Sequence, residues 1–437
     1  MGFDSSDVTT TTEATAPNII IRYNPGKVTS EVSSVPTTTP TTQKTETPTA
    51  STAAPTEMMD DQPLVCTMGR SLNSTRMFPP DGLCEYIFFD SLEKDGRNSL
   101  AAPNLFDANL LIFIDAAQLY KITAFGIGIS YDAAYHLELF LNRSAMGFKP
   151  LEPFWANSIY HIGVLDTATV NPREFDVTAA LRCLKVLRDR YSQEIIAQGI
   201  KVFTVFAAIV PDGTWANYYT RNFANWFAPD LFIAFGHYPR GDNTLPNCRV
   251  VPPTLLHQPR DLPDSYQHSM TTAFESFHRL SAPSLTLKYA LSVTMKGRLA
   301  VLTDPAQHGF FSPCEADSTF DMFESYAQVC KSPSFLSTRV YEPLVDATQI
   351  PHFLEPIVFS YDDRVGLCKK LCTVKAQGTS VKFGIAVFDL DYADFSNTCE
   401  SKGGPFSRLH LIRSVLNFFR TRFRTTADTA DCVNLAT

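Results

Sequence analysis

The residues best suited to chemistry stand where apolar runs end. His237 and Tyr238 follow the run 230–236, and Asp389, Asp391 and Asp394 cluster at the close of the run 383–390. An imidazole can act as acid, base or hydrogen-bond donor near neutral pH. Neighbouring carboxylates can share acid–base work or seat a cation. The nine histidines include no HExxH or HxH spacing, so no metal is expected. Phosphate-binding glycine loops, dinucleotide fingerprints and the GxSxG elbow are also missing, which leaves no cofactor to expect. A single histidine at a strand end is more often a satisfied rim group than a base. His237 is still the first residue to mutate.

The elements that would position these groups read as alternating strands and helices. Short β-branched and aromatic runs occur at 64–67, 84–89, 122–129, 159–165, 200–209, 230–236, 289–295 and 383–390. Longer patterns of helical period separate them, as at Ala180, Leu181, Leu184 and Leu187, which implies parallel strands joined by crossover helices. Eight such runs predict an α/β fold, a (β/α)8 TIM barrel over residues 63–425. A loop-rich region at about 299–356 interrupts the last βα units. Ile412, Val415, Phe419 and Phe423 recur at helical spacing among arginines, as a final barrel helix or a basic membrane-surface helix would. Residues 426–437 are left as a C-terminal tail.

Residues 1–62 are dominated by Thr, Ser and Pro and lack apolar side chains to bury, so they should be disordered. In a secreted chain they would form a mucin-like, O-glycosylated stalk, and otherwise a plain flexible linker. Ten cysteines without a CxxC pair favour disulfides in an oxidising compartment, and sequons at Asn73 and Asn142 agree with an extracellular location. No signal segment is visible at the start, and no run of about 18 apolar residues predicts a membrane span. The net charge of −8 carries no basic footprint for nucleic acid.

Several segments carry a family resemblance. Lys288-Tyr289-Ala290-Leu291-Ser292-Val293-Thr294-Met295-Lys296-Gly297-Arg298 resembles the seventh strand of family-18 chitinases, K-L-V-L-G-I-P-F-Y-G-R. Phe359-Ser360-Tyr361-Asp362-Asp363 resembles their S-Y-D-D segment, and Gly384-Ile385-Ala386-Val387-Phe388-Asp389-Leu390-Asp391 their eighth strand. The resemblance implies a small α+β insertion between strands seven and eight, at about 299–356, and disulfides Cys66–Cys84 and Cys330–Cys399. It leaves Cys183, Cys248, Cys314, Cys368, Cys372 and Cys432 without assigned partners.

Family-18 hydrolysis needs a glutamic acid at the end of a D-G-x-D-x-D-W-E strand four, with the substrate's N-acetyl oxygen as nucleophile. With Gly163 on the motif's glycine, Leu165, Thr167 and Ala168 replace Asp, Asp and Trp, and Thr169 occupies the acid position. Sliding the alignment brings only Asp166 onto an Asp position, and Glu174 lies beyond the strand end. Lys296 stands where the family has Tyr, and Phe388 where its Trp floors the sugar site. The expectation is a pseudo-glycosidase whose mouth holds Asp166, His237, Tyr238, Lys296, Phe388 and Asp389. It would act on a chitooligosaccharide or other glycan as a lectin-like module, or on a protein partner. The alternatives are a diverged hydrolase using Glu174 or an aspartate, and an inert structural protein.

Overall fold

Along a strand successive side chains leave by opposite faces, so one set can fill a barrel while the other packs on helices. The computed structural model describes residues 61–143, 148–167, 172–195, 199–239, 248–258, 269–280, 285–315, 322–335, 339–399 and 403–437. The strands are β1 (Leu64–Met68), β2 (Tyr86–Leu92), β3 (Ala124–Ile129), β4 (Ile159–Thr167), β5 (Thr204–Ala208), β6 (Leu231–Ala234), β7 (Lys288–Thr294), β8 (Gly297–Val301), β9 (Phe323–Glu324), β10 (Val340–Glu342), β11 (Ala347–Pro351), β12 (Ile357–Tyr361) and β13 (Gly384–Phe388). Eight of them close into a parallel barrel in the order β1-β13-β7-β6-β5-β4-β3-β2. Each overlaps a predicted run with bounds that differ by a few residues: β2 and β4 extend past theirs, while Ile122, 75% accessible, stays outside β3.

The helices are α1 (Ala108–Ala117), α2 (Ala134–Arg143), α3 (Glu152–Trp155), α4 (Glu174–Ile195), α5 (Gly213–Asn225), α6 (Met270–Arg279), α7 (Tyr326–Lys331), α8 (Arg364–Gln377), α9 (Ser407–Thr421) and α10 (Thr429–Val433). Inside the barrel Val65, Phe88, Leu165, Val205, Ile233, Ala290 and Ala386 form one apolar cluster, while the outward set joins the helices in a second. Phe88 fits only because β3 carries Gly126, where a Cβ would lie 2.5 Å from its ring. In α9 Ile412, Val415, Phe419 and nearby Phe423 are buried, and Arg413 and Arg420 pair with Glu85. The basic stripe therefore serves a barrel helix.

Between β7 and β13 the chain makes a five-stranded antiparallel sheet, ordered β10-β11-β12-β8-β9, together with α7. The sheet starts at Gly297 and ends at Tyr361, so both strands that bound it come from segments the sequence assigned to the barrel flanks. It is locked to the barrel by a buried ion pair. Lys370 of α8 reaches Asp362 at 2.6 Å, and both side chains are fully inaccessible. Thr254 Oγ1 donates to Asp362 at 2.8 Å, and Lys370 donates to the Thr254 carbonyl at 2.8 Å. Asp363 caps α8 through the Gly366 N–H.

Disulfides join Cys66 to Cys84, Cys248 to Cys314, Cys330 to Cys399 and Cys372 to Cys432. Cys183 and Cys368 are buried thiols. The last bridge ties α10 to α8, so the segment set apart as a tail is a docked helix. Among the described residues no helix is long and apolar enough to cross a membrane. The Thr-rich segment up to residue 60 lies outside them.

Candidate functional site

The C-terminal ends of parallel barrel strands form the rim on which such folds build sites. Here they surround a cavity of about 660 Å³. Asp166, His237, Lys296, Phe388 and Asp389 all line it. Tyr238 does not. His237 turns inward, so its neighbour turns outward and packs against Val251 and Leu255, with the Arg298 guanidinium 4.8 Å from its ring.

Asp389 follows β13 with a left-handed backbone, φ 58°. Its N–H donates to Thr67 Oγ1 at 3.0 Å, and its carboxylate accepts from Thr294 Oγ1 at 2.7 Å. Lys296 Nζ lies 2.7 Å away. Burial is the largest single effect and pushes the Asp389 carboxyl up, but the charge and hydrogen bond of Lys296, together with smaller contributions such as the Thr294 hydrogen bond, hold the group below its usual range. Burial likewise works against the charged Lys296, and Asp389 overrides it, so the lysine titrates above its ordinary value. The rings of Phe323 and Tyr392 stand 5.1 and 5.0 Å from that ammonium.

His237 is 1% accessible. Burial pushes its imidazole down to about 4, so the ring is neutral at physiological pH. Nδ1 lies 2.7 Å from Ser292 Oγ, which also accepts the Gly236 N–H at 2.8 Å. If the serine proton is given to Nδ1, the Nε2–H is the donor presented to the cavity. The ring contacts Phe388 and Phe235, with centroids 4.9 and 5.4 Å away.

Asp166 ends β4 on the opposite side. It accepts from the Tyr131 N–H at 2.7 Å and from Ser130 Oγ at 3.0 Å. Burial, with Asp90 nearby, raises its carboxyl to about 6 although Lys94 opposes the shift. Leu165 points inward with the barrel's apolar cluster, and Thr167 is fully buried with no hydrogen-bond partner for its hydroxyl among the described residues. Thr169 lies outside the described residues. Glu174 is on the surface, 3.7 Å from Arg221, with 69% of its side chain accessible. It does not line the cavity.

Sequence reasoning missed the β2 side of the mouth. Asp90, Glu93, Lys94 and Asp95 all line the cavity, with Lys94 Nζ 3.2 Å from Asp90. Their one signal was position, since Asp90 directly follows the predicted second run. Asp132, between β3 and α2, and His136, in the first turn of α2, complete that wall. Among the described residues no group of three or more His, Cys, Asp or Glu is arranged for a metal.

The barrel resembles solved structures of known proteins. An immunomodulatory active chitinase from Trichuris suis aligns with a TM-score of 0.61 at 14% identity, covering 81% of this chain and 100% of that one. The chitinase-like agglutinin from Robinia pseudoacacia aligns at 0.53 and 13% identity, over 80% and 99% of the two chains. A class V chitinase mutant from Nicotiana tobaccum, in complex with NAG4, aligns at 0.55 and 13%, over 78% and 98%. The fold is that of the chitinases and chitinase-like proteins. No protein-family model and no curated protein matches the chain.

Within this chitinase-like barrel the family-like segments separate into two kinds. The strand-eight segment supplies Phe388 and Asp389 to the mouth. Asp391, beside it, accepts the N–H groups of Gly69 and Ser71 at 3.1 and 2.8 Å. Asp394 accepts those of Thr398 and Cys399. These two carboxylates hold loops. The S-Y-D-D segment also holds structure, through Asp362 and Asp363.

Proposed function

We propose that this protein is a secreted chitinase-like, lectin-like module that holds a short glycan in the barrel mouth without cleaving it. The observation that carries this is the end of β4, where the inward Leu165 and the buried Thr167 stand at the positions that the resemblance gives to family carboxylates while the cavity beside Leu165 persists. A glycosidic oxygen needs a proton donor within hydrogen-bond reach. Neither side chain is one. The mouth still offers what sugar binding uses: aromatic faces at Phe235 and Phe388, and the inward imidazole edge of His237. Four disulfides and exposed sequon asparagines at 73 and 142 fit an oxidising, extracellular setting. The Thr-rich segment would then present the barrel on a glycosylated stalk.

Titration calorimetry with tetra-N-acetylchitotetraose, beside a fluorogenic chitooligosaccharide assay, tests this reading. Binding without product release is expected. Turnover that a single mouth substitution abolishes would overturn it.

A second reading rests on Asp166, whose carboxyl is raised to about 6 in the mouth. That value suits a general acid, and the protein would then be a diverged hydrolase with a relocated proton donor. Turnover that falls as pH rises through about 6, and that is lost in Asp166→Asn, is its signature.

A further inference from the structure

The cavity assigned above to a glycan is acidic. Asp90, Glu93, Asp95, Asp132, Asp166 and Asp389 line it against two lysines. Both lysines are already matched, Lys94 by Asp90 at 3.2 Å and Lys296 by Asp389 at 2.7 Å. Glu93, Asp95, Asp132 and Asp166 therefore face the cavity with no ion-pair partner among the described residues. Glu93 and Asp166 are partly shielded and accept backbone N–H groups from Leu100 and Tyr131, which fixes their direction. Asp95 and Asp132 are exposed at the rim.

A second feature points independently to a ligand. His237, 1% accessible, lines the same cavity with Nδ1 engaged by Ser292, while its Nε2 has no hydrogen-bond partner among the described residues. That ring edge opens on the cavity, where it is available to a ligand oxygen. A neutral imidazole beside the Phe388 face suits a sugar oxygen, and the surplus carboxylates suit a positive charge.

We propose that the mouth selects a cationic sugar, an oligosaccharide of glucosamine units with free protonated amines, over the same oligosaccharide in N-acetylated form. The inference rests on the glycan reading and deepens it. A recessed cleft of one sign concentrates its field on a ligand of the other. An ammonium gains from that field directly, whereas an acetamido group carries no charge to steer. Phe235 and Phe388 take the sugar's flat face, and His237 meets a hydroxyl or ring oxygen. Glu93 and Asp95 follow β2 and Asp132 follows β3, so successive units of one oligomer can each find a carboxylate.

The test is calorimetric titration of the full chain with tetraglucosamine and with tetra-N-acetylchitotetraose, at mildly acidic pH where the amines are protonated. Tetraglucosamine is expected to bind about tenfold more tightly. The preference should shrink as salt is raised to about 0.5 M. It should also fall at least severalfold in the double variant Asp95→Asn/Asp132→Asn, whose exposed positions leave the fold intact. Equal affinity for the two sugars overturns the inference and leaves the glycan reading standing. Binding of neither overturns both. A tetralysine peptide that binds as tightly as tetraglucosamine would reassign the mouth to a basic protein segment and overturn the sugar assignment.

Discussion

On the β7–β13 side of the mouth each charge has a partner, with Lys296 clamped between Asp389 and two aromatic rings. On the β4 side Asp166 is held by one hydroxyl and one backbone N–H, with Leu165 beside it and a Thr167 hydroxyl that has no partner among the described residues. One cavity thus contains two carboxyls pushed in opposite directions, Asp389 below its ordinary value and Asp166 up to about 6. Environment sets the role of each. The β13 side is a fixed electrostatic wall. The β4 side presents one adjustable group, Asp166.

The largest effect that would break this contrast is on stability. Lys296→Met leaves Asp389 buried without its cation and should cost about 3 kcal/mol, read from the urea midpoint at neutral pH. An unchanged midpoint would mean that the wall is not fixed by the pair. His237→Phe keeps a ring of similar shape but removes the nitrogen edge, so glycan affinity should fall about tenfold by calorimetry, with circular dichroism unchanged.

A smaller signal lies in pH. Asp166 keeps its proton in the folded state up to about 6, whereas the unfolded chain releases it near the ordinary value of 3.8. Its contribution therefore falls as pH rises through that window. Asp391, also raised to about 6, adds in the same direction. Asp389 has the opposite sign, because its contribution is present above the ordinary value and is lost as pH falls toward its depressed one. Asp166→Asn should flatten the fall between about pH 4 and 6 in urea melts, and an identical slope in the variant would remove Asp166 as its source. Smallest of all, Asp132→Asn should leave stability within about 0.5 kcal/mol, since its side chain is exposed and unpaired.

Much of the barrel was legible because β-branched and aromatic runs mark parallel strands that are buried on both faces, as with Ile162 to Leu165 in β4. The mouth was legible only where a strand residue anchored it, as Phe388 and Asp389 were anchored by β13. Tyr238 was misread because His237 takes the inward position after β6, and alternation along the extended backbone then turns Tyr238 toward Val251 and Leu255. The β2 wall was silent for another reason. Glu93 and Asp95 sit in a turn with φ of 62° and 54°, which no apolar period announces. The pairs Cys248–Cys314 and Cys372–Cys432 close separations of 66 and 60 residues, and only tertiary packing chooses such partners.

The Lys370–Asp362 pair bears on how such a protein changes over time. Substituting either partner would strand a charge in a dry seam between insertion and barrel, so selection for folding alone is enough to retain both. Nothing comparable protects the end of β4, where a carboxylate that no longer served a reaction would be free to become Leu or Thr. The durable part of the sequence signature is therefore architectural. A lineage of this fold can discard its reaction and still be recognised by its masonry.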